Sequence, residues 1–382
     1  MMRLSRTNRT PLSEWWWTVD RWTLLAIAGL IVLGIVLSLA ASPAVAQRLN
    51  LPNFHFVYRQ MIFLAPALVI LIGVSMLSVR QVRRLALIVF GGAFFLMLAT
   101  LVAGPEIKGA TRWLSIGPFS IQPSEFMKPA FAVLVAWLFA EGARKKIAGV
   151  PLALALYGAI ALLLVLQPDF GQLSLVTIIL VALFFFSGLS WFWIGSIGTV
   201  ALAGALMAYS FVPHVTSRVD RFINPESGDT YQIDRALDAF KAGGFLGRGP
   251  GEGEVKRILP DAHTDFIFAV AAEEYGVFAG LMIIGLFGFI VVRTLMRARG
   301  ESDLFVQLAA SGLVLLIGVQ ALINMAVNVN LLPAKGMTLP FISYGGSSLL
   351  AVALTLGMLL ALTRRRAGAS LAQPMAMGRA FA

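Results

Sequence analysis

The carboxylate best placed for chemistry in this sequence is that of Asp265, where a hydrophilic segment turns into a long apolar stretch. Thr264 is expected to act as an N-cap, which puts Asp265 in the first turn of a helix. A carboxylate near the positive end of a helix dipole stays ionised and can accept a proton at neutral pH. We therefore predict that Asp265 is a general base, with helix capping as its alternative role.

Other acidic side chains also lie in or beside apolar stretches, where burying a charge costs at least about 2.5–3.5 kcal/mol. Glu125 and Lys128 are three residues apart and share a helix face, which predicts a structural ion pair. Asp169 is expected either to cap a helix or to contact a substrate. Glu273 and Glu274 are adjacent and point about 100° apart on a helix, so a supporting role beside polar neighbours is predicted for them.

Basic side chains in the hydrophilic segments are candidates for binding phosphate oxygens, because arginine can bind phosphate through two hydrogen bonds. For each of them, a solvated loop charge is the alternative. They are Arg112, Arg218, Arg221, Arg248, Lys256, Arg257 and Lys335. The glycine-rich run 247–253 lacks the Gly-Lys-Ser/Thr ending of a nucleotide-binding loop, so it does not predict ATP binding.

A turn of small residues at 339–348 precedes the last apolar stretch. Its glycines permit a close approach of the backbone, and irregular backbone at membrane depth is tolerated only against protein or a watery cavity. Ser343 and this turn are therefore expected to line the same cavity as Asp265. His263 is one of three histidines and has few potential metal ligands near it, so we expect it to contact the substrate and predict no metal site.

Composition indicates a membrane protein, because 58% of the residues are hydrophobic and only 13% are charged. A soluble domain has roughly 25% charged residues. The chain has no cysteine, which excludes disulfides, thiolate metal sites and cysteine nucleophiles. The net charge of +11 comes from short basic clusters between apolar stretches, so nucleic-acid binding is not expected.

A helix that crosses a bilayer needs about 20 mostly apolar residues. Ten stretches approach this requirement, at 22–41, 57–78, 84–103, 123–140, 151–167, 171–187, 189–210, 265–292, 304–327 and 344–363. The fifth and sixth of them are short. The fold class predicted from this pattern is all-α, a polytopic transmembrane helical bundle.

Basic clusters orient the bundle, because they are enriched on the cytoplasmic side. If ten spans alternate, every cluster lies on one side, which makes the tails 1–21 and 364–382 cytoplasmic and leaves 22–363 as a single membrane domain. The long hydrophilic loop 211–263 then faces the periplasm, and 232–241 is expected to form an amphipathic helix in it. The sequence at 44–46 resembles a signal-peptidase site, but the preceding apolar run is too long, so a retained anchor is predicted.

Four stretches together resemble the SEDS (shape, elongation, division and sporulation) family: 122–128, 167–169, 260–269 and 335–348. The resemblance implies a ten-span peptidoglycan glycosyltransferase that polymerises lipid II. The family's essential acidic residue falls on Asp265, and Arg112 with Trp113 matches its outer-loop Arg-Trp pair. The segment 333–340 is more similar to the division branch than to the elongation branch.

The same resemblance implies the partners and the compartment. The partners are a class B penicillin-binding protein, which is a transpeptidase, other division proteins and membrane lipid. The compartment is the bacterial cytoplasmic (inner) membrane at the division septum, with the active site facing the periplasm. No cofactor is certain, although Mg²⁺ or Mn²⁺ could assist the pyrophosphate. A lipid II flippase and a non-enzymatic division scaffold are the alternative functions, but no inverted repeat typical of transporters is found.

Overall fold

The computed structural model describes residues 10–106, 110–117, 119–224, 230–333 and 336–365. In this part of the chain nearly all of the regular secondary structure is helical, because a helix satisfies its own N–H and C=O groups where no water is available. The helices are α1 Pro11–Thr18, α2 Arg21–Arg48, α3 His55–Ser75, α4 Val79–Ala103, α5 Pro123–Ala143, α6 Gly149–Leu166, α7 Phe170–Phe186, α8 Trp191–Phe211, α9 Pro213–Ile223, α10 Tyr231–Gly243, α11 Ile267–Arg299, α12 Leu304–Asn328 and α13 Gly346–Leu362. A short hairpin pairs β1 Leu114–Ile116 with β2 Phe119–Ile121.

Each of the ten apolar stretches coincides with one helix, which confirms the predicted helical bundle. Eight of these helices are long and apolar enough to cross a membrane, and α7 and α13 are shorter apolar helices. The sequence that resembles a cleavage site, at 44–46, lies inside α2, which continues to Arg48.

Among the eight long spans, α5 and α12 are the most buried, with 67% and 72% of their most apolar segments inside the protein. The corresponding fraction for α8 is 11%, so this helix lies at the edge of the bundle. Polar side chains on α5 and α12 therefore have protein rather than lipid as their surroundings.

The hydrophilic loop between α8 and α11 is an ordered layer in the part that the structure describes. The predicted amphipathic helix exists as α10, which packs Ala236 and Ala239 against α11. A kink in α11 at Gly276, whose φ is +73°, frees carbonyl groups of the helix. The amides of Arg248 and Gly249 donate to the carbonyls of Glu273 and Glu274 at 2.9 and 3.0 Å, so the kink anchors this loop.

The two ends of the described chain meet on one face of the bundle. The amide of Arg365 donates to the carbonyl of Thr18 at 3.0 Å. The Arg364 side chain donates to the Thr18 hydroxyl at 2.9 Å and to the Met76 carbonyl at 3.0 Å. The start of α2, the end of α3 and the end of α13 thus lie together, as an even number of alternating spans requires.

Candidate functional site

A cavity of about 510 Å³ lies at the end of the bundle where α3, α5, α7 and α13 begin. Three guanidinium groups, three carboxylates and an indole contribute to its lining, from Arg59, Arg112, Arg218, Glu125, Asp169, Asp265 and Trp113. The segments 336–338 and 344–348 complete the wall. We call this space the larger cavity.

A second space of about 230 Å³ lies beside the larger cavity, between α9, α10 and the start of α11. We call it the smaller cavity. Arg218, Asp265 and Gly336 line both spaces. Asp265 therefore lines two neighbouring cavities, an arrangement that would allow one carboxylate to contact two substrates.

The main chain at Asp265 is held by two asparagines of α12. The side-chain amides of Asn324 and Asn328 each donate to the Asp265 carbonyl at 2.9 Å. The Asn328 amide oxygen also accepts from the backbone N–H of Ala269 at 3.1 Å, in the first turn of α11. These contacts place the Asp265 backbone relative to the buried centre of the bundle.

The prediction that Thr264 caps α11 is wrong. The helix begins at Ile267, and the Thr264 hydroxyl donates to the carbonyl of Asp261 at 3.2 Å instead. The capping acceptor comes from α12 through Asn328, so the local sequence did not have to provide one. Asp265 lies in the turn before the helix, not in its first turn.

Positive charge is concentrated around the two cavities. Arg218 lines both, and Arg221 lines the smaller one. Burial and the nearby guanidinium groups of Arg112 and Arg221 lower the pKa of Arg218. Guanidinium groups crowded together in this way form a strong site for an anion with several oxygens, such as a pyrophosphate.

Arg112 is held in place by the turn between α6 and α7. Its guanidinium donates to the carbonyls of Gln167, at 3.2 Å, and Pro168. One of its nitrogens lies 3.7 Å from a carboxylate oxygen of Asp169. Because these groups restrict its rotamers, Arg112 is arranged in advance to meet a ligand in the larger cavity.

The capping role predicted for Asp169 is confirmed. Its carboxylate accepts the backbone N–H of Gln172 at 3.3 Å, at the start of α7, and the Gln122 amide at 3.2 Å. Burial raises the pKa of Asp169, and the Arg112 guanidinium opposes this effect. The side chain also lines the larger cavity, so capping does not remove it from the site.

The ion pair predicted between Glu125 and Lys128 is present at 3.0 Å, and both side chains are buried. The Lys128 ammonium also donates to Gln320 of α12 at 3.0 Å, and Gln320 donates to the carbonyl of Thr338 at 3.0 Å. Gln172 of α7 donates to Glu125. This network joins three helices to the segment beside Asp265.

Several predicted site residues lie away from both cavities. The Lys256 ammonium is buried against the carboxylate of Glu274, and Glu273 accepts the backbone amides of Val255 and Lys256 at 2.7 and 2.9 Å. Arg248 forms an ion pair with Glu254 at 2.8 Å. These side chains hold the hydrophilic loop between α8 and α11 against α11, in agreement with the supporting role predicted for Glu273 and Glu274. Lys335 lies outside the described residues.

His263 and Ser343 line neither cavity, although both were predicted to belong to the site. The imidazole ring is tilted against two aromatic rings, with its centroid 4.2 Å from that of Phe56 and 5.4 Å from that of Tyr344. The Ser343 hydroxyl donates to the Thr264 carbonyl at 2.6 Å and accepts the Leu339 amide at 2.8 Å. Both residues fasten the turn at 339–348 to the segment before α11.

Stability is expected to fall as the pH falls from 6.5 to 4, because burial lowers the pKa of His263 from 6.5 to about 4. The unfolded chain takes up this proton below pH 6.5, whereas the folded chain stays neutral until about pH 4. The free energy of unfolding should therefore decrease by about 3 kcal/mol over this range. Denaturant titrations in detergent would measure the decrease. His263→Phe keeps an aromatic ring and should flatten this part of the profile, and an unchanged profile would contradict the assignment.

Sequence reasoning missed Arg59, Gln320, Asn324 and Asn328. The three amide side chains are four residues apart along α12, so they share one helix face. Polar residues at helical spacing in an apolar span indicate that this helix face packs against protein and not against lipid.

Asn328→Ala is expected to reduce kcat for the reaction at Asp265 by roughly tenfold to a hundredfold. The substitution removes one donor to the Asp265 carbonyl and the capping acceptor of α11, and small displacements of catalytic groups have effects of this size. KM should change little, since the Asn328 side chain lines neither cavity. The control is Gln307→Ala at the other end of α12. An effect on KM alone would argue against a positioning role.

Comparisons of the sequence with known proteins point to one family. A profile for a family of cell cycle proteins, FtsW/RodA/SpoVE, matches residues 21–368. The chain is 53% identical over 367 residues to the probable peptidoglycan glycosyltransferase FtsW of Caulobacter vibrioides, covering 96% of this chain and 94% of that one. It is 34% identical to the protein of the same name from Coxiella burnetii, covering 90% and 96%.

Solved structures show the same architecture. A chain from work described as "Structural coordination of polymerization and crosslinking by a peptidoglycan synthase complex" has a TM-score of 0.73 and 27% identity, covering 90% of this chain and 97% of that one. The rod shape determining protein RodA of Thermus thermophilus has a TM-score of 0.67 and 28% identity, covering 90% and 96%.

Proposed function

The chain belongs to the FtsW/RodA/SpoVE family of cell cycle proteins, and from this membership and the geometry of the site we infer that it is a peptidoglycan glycosyltransferase of the multi-pass membrane type. It polymerises lipid II, a disaccharide-pentapeptide on undecaprenyl pyrophosphate, into β-1,4-linked glycan strands for cell division. The observation that carries the mechanism is the position of Asp265 between two cavities lined by arginines.

In the mechanism that we propose, Asp265 accepts the proton of the 4-hydroxyl group of an acceptor GlcNAc. The freed oxygen attacks C1 of the donor MurNAc, and the bond from C1 to the pyrophosphate oxygen breaks with inversion. Arg59, Arg112 and Arg218 lie where they can stabilise the negative charge that develops on the leaving pyrophosphate. The leaving group supplies the driving force, so the reaction requires no nucleotide.

Binding both substrates around one carboxylate accounts for much of the expected rate. Holding reacting groups in a productive arrangement is worth several kcal/mol of the barrier. Asn324 and Asn328, which bind the Asp265 carbonyl, contribute to this productive arrangement. Trp113 provides an apolar surface in the larger cavity for a sugar ring.

The part of the chain that the structure describes does not bring together three His, Asp or Glu side chains that could hold a metal ion. Because Mg²⁺ is often held by only one or two carboxylates together with substrate phosphates, the assisting cation considered from the sequence stays a prediction, and no step is derived through a metal. In this proposal, the charge that stabilises the pyrophosphate is that of the arginines.

We further propose that the active site faces the periplasm, that the protein acts at the division septum, and that it works with a class B penicillin-binding protein. The basic clusters at the opposite face support this orientation by the positive-inside rule. A transpeptidase partner would crosslink each strand as it leaves the site.

The test is a polymerisation assay with the purified protein and its transpeptidase partner in proteoliposomes supplied with lipid II. Glycan chains resolved by size are expected, without accelerated transfer of lipid II between leaflets. Rapid transfer without polymer would identify a flippase instead. Normal division by a strain that carries a polymerase-inactive protein would identify a scaffold.

A further inference from the structure

The end of the bundle opposite Asp265 contains a polar cavity of about 570 Å³ that the proposed reaction does not use. It lies where α4 begins and α5 ends, beside the start of α12. The other end of α4 is beside the larger cavity, where its Thr100 accepts a hydrogen bond from Gln167. A helix of 25 residues is about 37 Å long. The polar cavity and the larger cavity therefore lie at opposite faces of the membrane domain.

Four basic and two acidic side chains line this cavity, which leaves an excess of two positive charges. Both carboxylates are already engaged by two of the cations. Arg144 contacts Glu141 at 3.0 Å and Asp303 at 3.5 Å, and Lys146 contacts Glu141 at 3.5 Å. The excess charge therefore resides on the other two cations, which are arginines.

These two arginines are Arg80 and Arg83 in the first turns of α4, and within the described residues neither forms an ion pair with a carboxylate. The two guanidinium groups stand near the N-terminus of a helix, where the dipole adds to their positive potential.

An indole lies in the same cavity. The Arg83 guanidinium lies 5.2 Å from the centroid of the Trp137 ring. Two arginines and an indole ring therefore line one space, and a phosphate group is the ligand chemistry that fits the two guanidinium groups.

The surface next to the cavity is apolar. Leu87 is one helical turn beyond Arg83 and is 46% exposed, and Ile88 is 73% exposed. Ile147, which follows the lining residue Lys146, and Leu152 in the first turn of α6 are also exposed. In a protein that spans a membrane these side chains meet acyl chains, whereas the arginines lie at the depth of the headgroups.

We propose that this cavity binds the phosphate headgroup of an anionic glycerophospholipid in the leaflet opposite the glycosyltransferase site. Arg80 and Arg83 bind the phosphate oxygens beside the Trp137 ring, and the acyl chains lie along α4. Basic pockets between transmembrane helices bind anionic headgroups by this chemistry. The proposal depends on the membrane domain and not on the reaction at Asp265.

The test uses the full-length protein in detergent, freed of lipid and supplied with phosphatidylglycerol, with bound lipids counted by native mass spectrometry. In the double variant Arg80→Gln/Arg83→Gln, the Kd of the most tightly bound phosphatidylglycerol should be at least about tenfold higher than in the unmodified protein. The matched control is Arg84→Gln/Arg299→Gln, which removes two exposed arginines that do not line the cavity. Unchanged thermal unfolding of both variants would establish that they fold.

Three outcomes would overturn the proposal. Equal losses in the two double variants would mean that general surface charge attracts the lipid. Equally tight binding of phosphatidylcholine would mean that no anionic headgroup is selected. Complete displacement of the lipid by inorganic phosphate in millimolar excess would identify a site for the free anion instead.

Discussion

Replacing Asp265 by asparagine is expected to lower the rate of lipid II polymerisation by about 10²–10⁴, the range typical for loss of a positioned general base. Asparagine is close in size to aspartate but cannot take up the proton of the acceptor hydroxyl. The hydrogen bonds from Asn324 and Asn328 go to the carbonyl of residue 265 and survive the substitution. The loss should therefore be in chemistry and not in folding.

The assay for Asp265→Asn measures glycan chains formed from purified lipid II, under conditions where the unmodified protein polymerises. The matched control is Asp238→Asn on α10, where the carboxylate forms an ion pair with Arg235 at 3.0 Å outside both cavities. The control should keep nearly full activity. Polymerisation by a folded Asp265→Asn protein at the unmodified rate would show that the base is another group.

Lys128→Met is expected to have the largest effect on stability, a loss of about 3–5 kcal/mol in the free energy of unfolding. The methionine fills a similar volume but leaves the Glu125 carboxylate without its cation. Glu125 is only 5% exposed, so water cannot replace the lost partner. Removing one partner of a buried ion pair has effects of this size, because the remaining charge is uncompensated. Gln320 also loses a donor, and through it the Thr338 carbonyl beside Asp265 loses support.

Unfolding of the purified protein in detergent would measure the effect of Lys128→Met. Lys241→Met is the control, since the Lys241 side chain is 79% exposed and contributes little through its ion pair with Asp238. The double variant Glu125→Gln/Lys128→Met should recover most of the lost stability, because no charge then remains unpaired. If Lys128→Met and the control unfold alike, the buried pair does not stabilise the bundle.

The architecture was predictable because each transmembrane helix is specified by its own residues. A stretch of about 20 apolar residues suffices to define a span, and all ten predicted stretches became helices. The amphipathic helix α10, in the hydrophilic loop between α8 and α11, was predictable for the same reason, because its apolar residues recur at helical spacing within a few turns.

Half of the candidate site was predictable as well. Asp265, Arg112, Trp113 and Asp169 line one cavity, as candidates for a shared site should. The family resemblance covered all four by residue type and order along the chain. The type of charge alone could not distinguish Arg112 from Lys256 or Arg248. Lys256 pairs with Glu274 of α11, and Arg248 pairs with Glu254 in the loop between α8 and α11.

The helices, their order and the residue type at each candidate position follow from the amino-acid sequence, because they depend on short-range periodicity and hydrophobic length. Which side chains meet depends on the tertiary structure. Asn328 lies 63 residues from Asp265 along the chain and still holds its carbonyl, and the same asparagine replaced the local cap predicted at Thr264. Contacts between distant residues depend on how the helices pack, and packing is a property of the whole bundle rather than of any one segment.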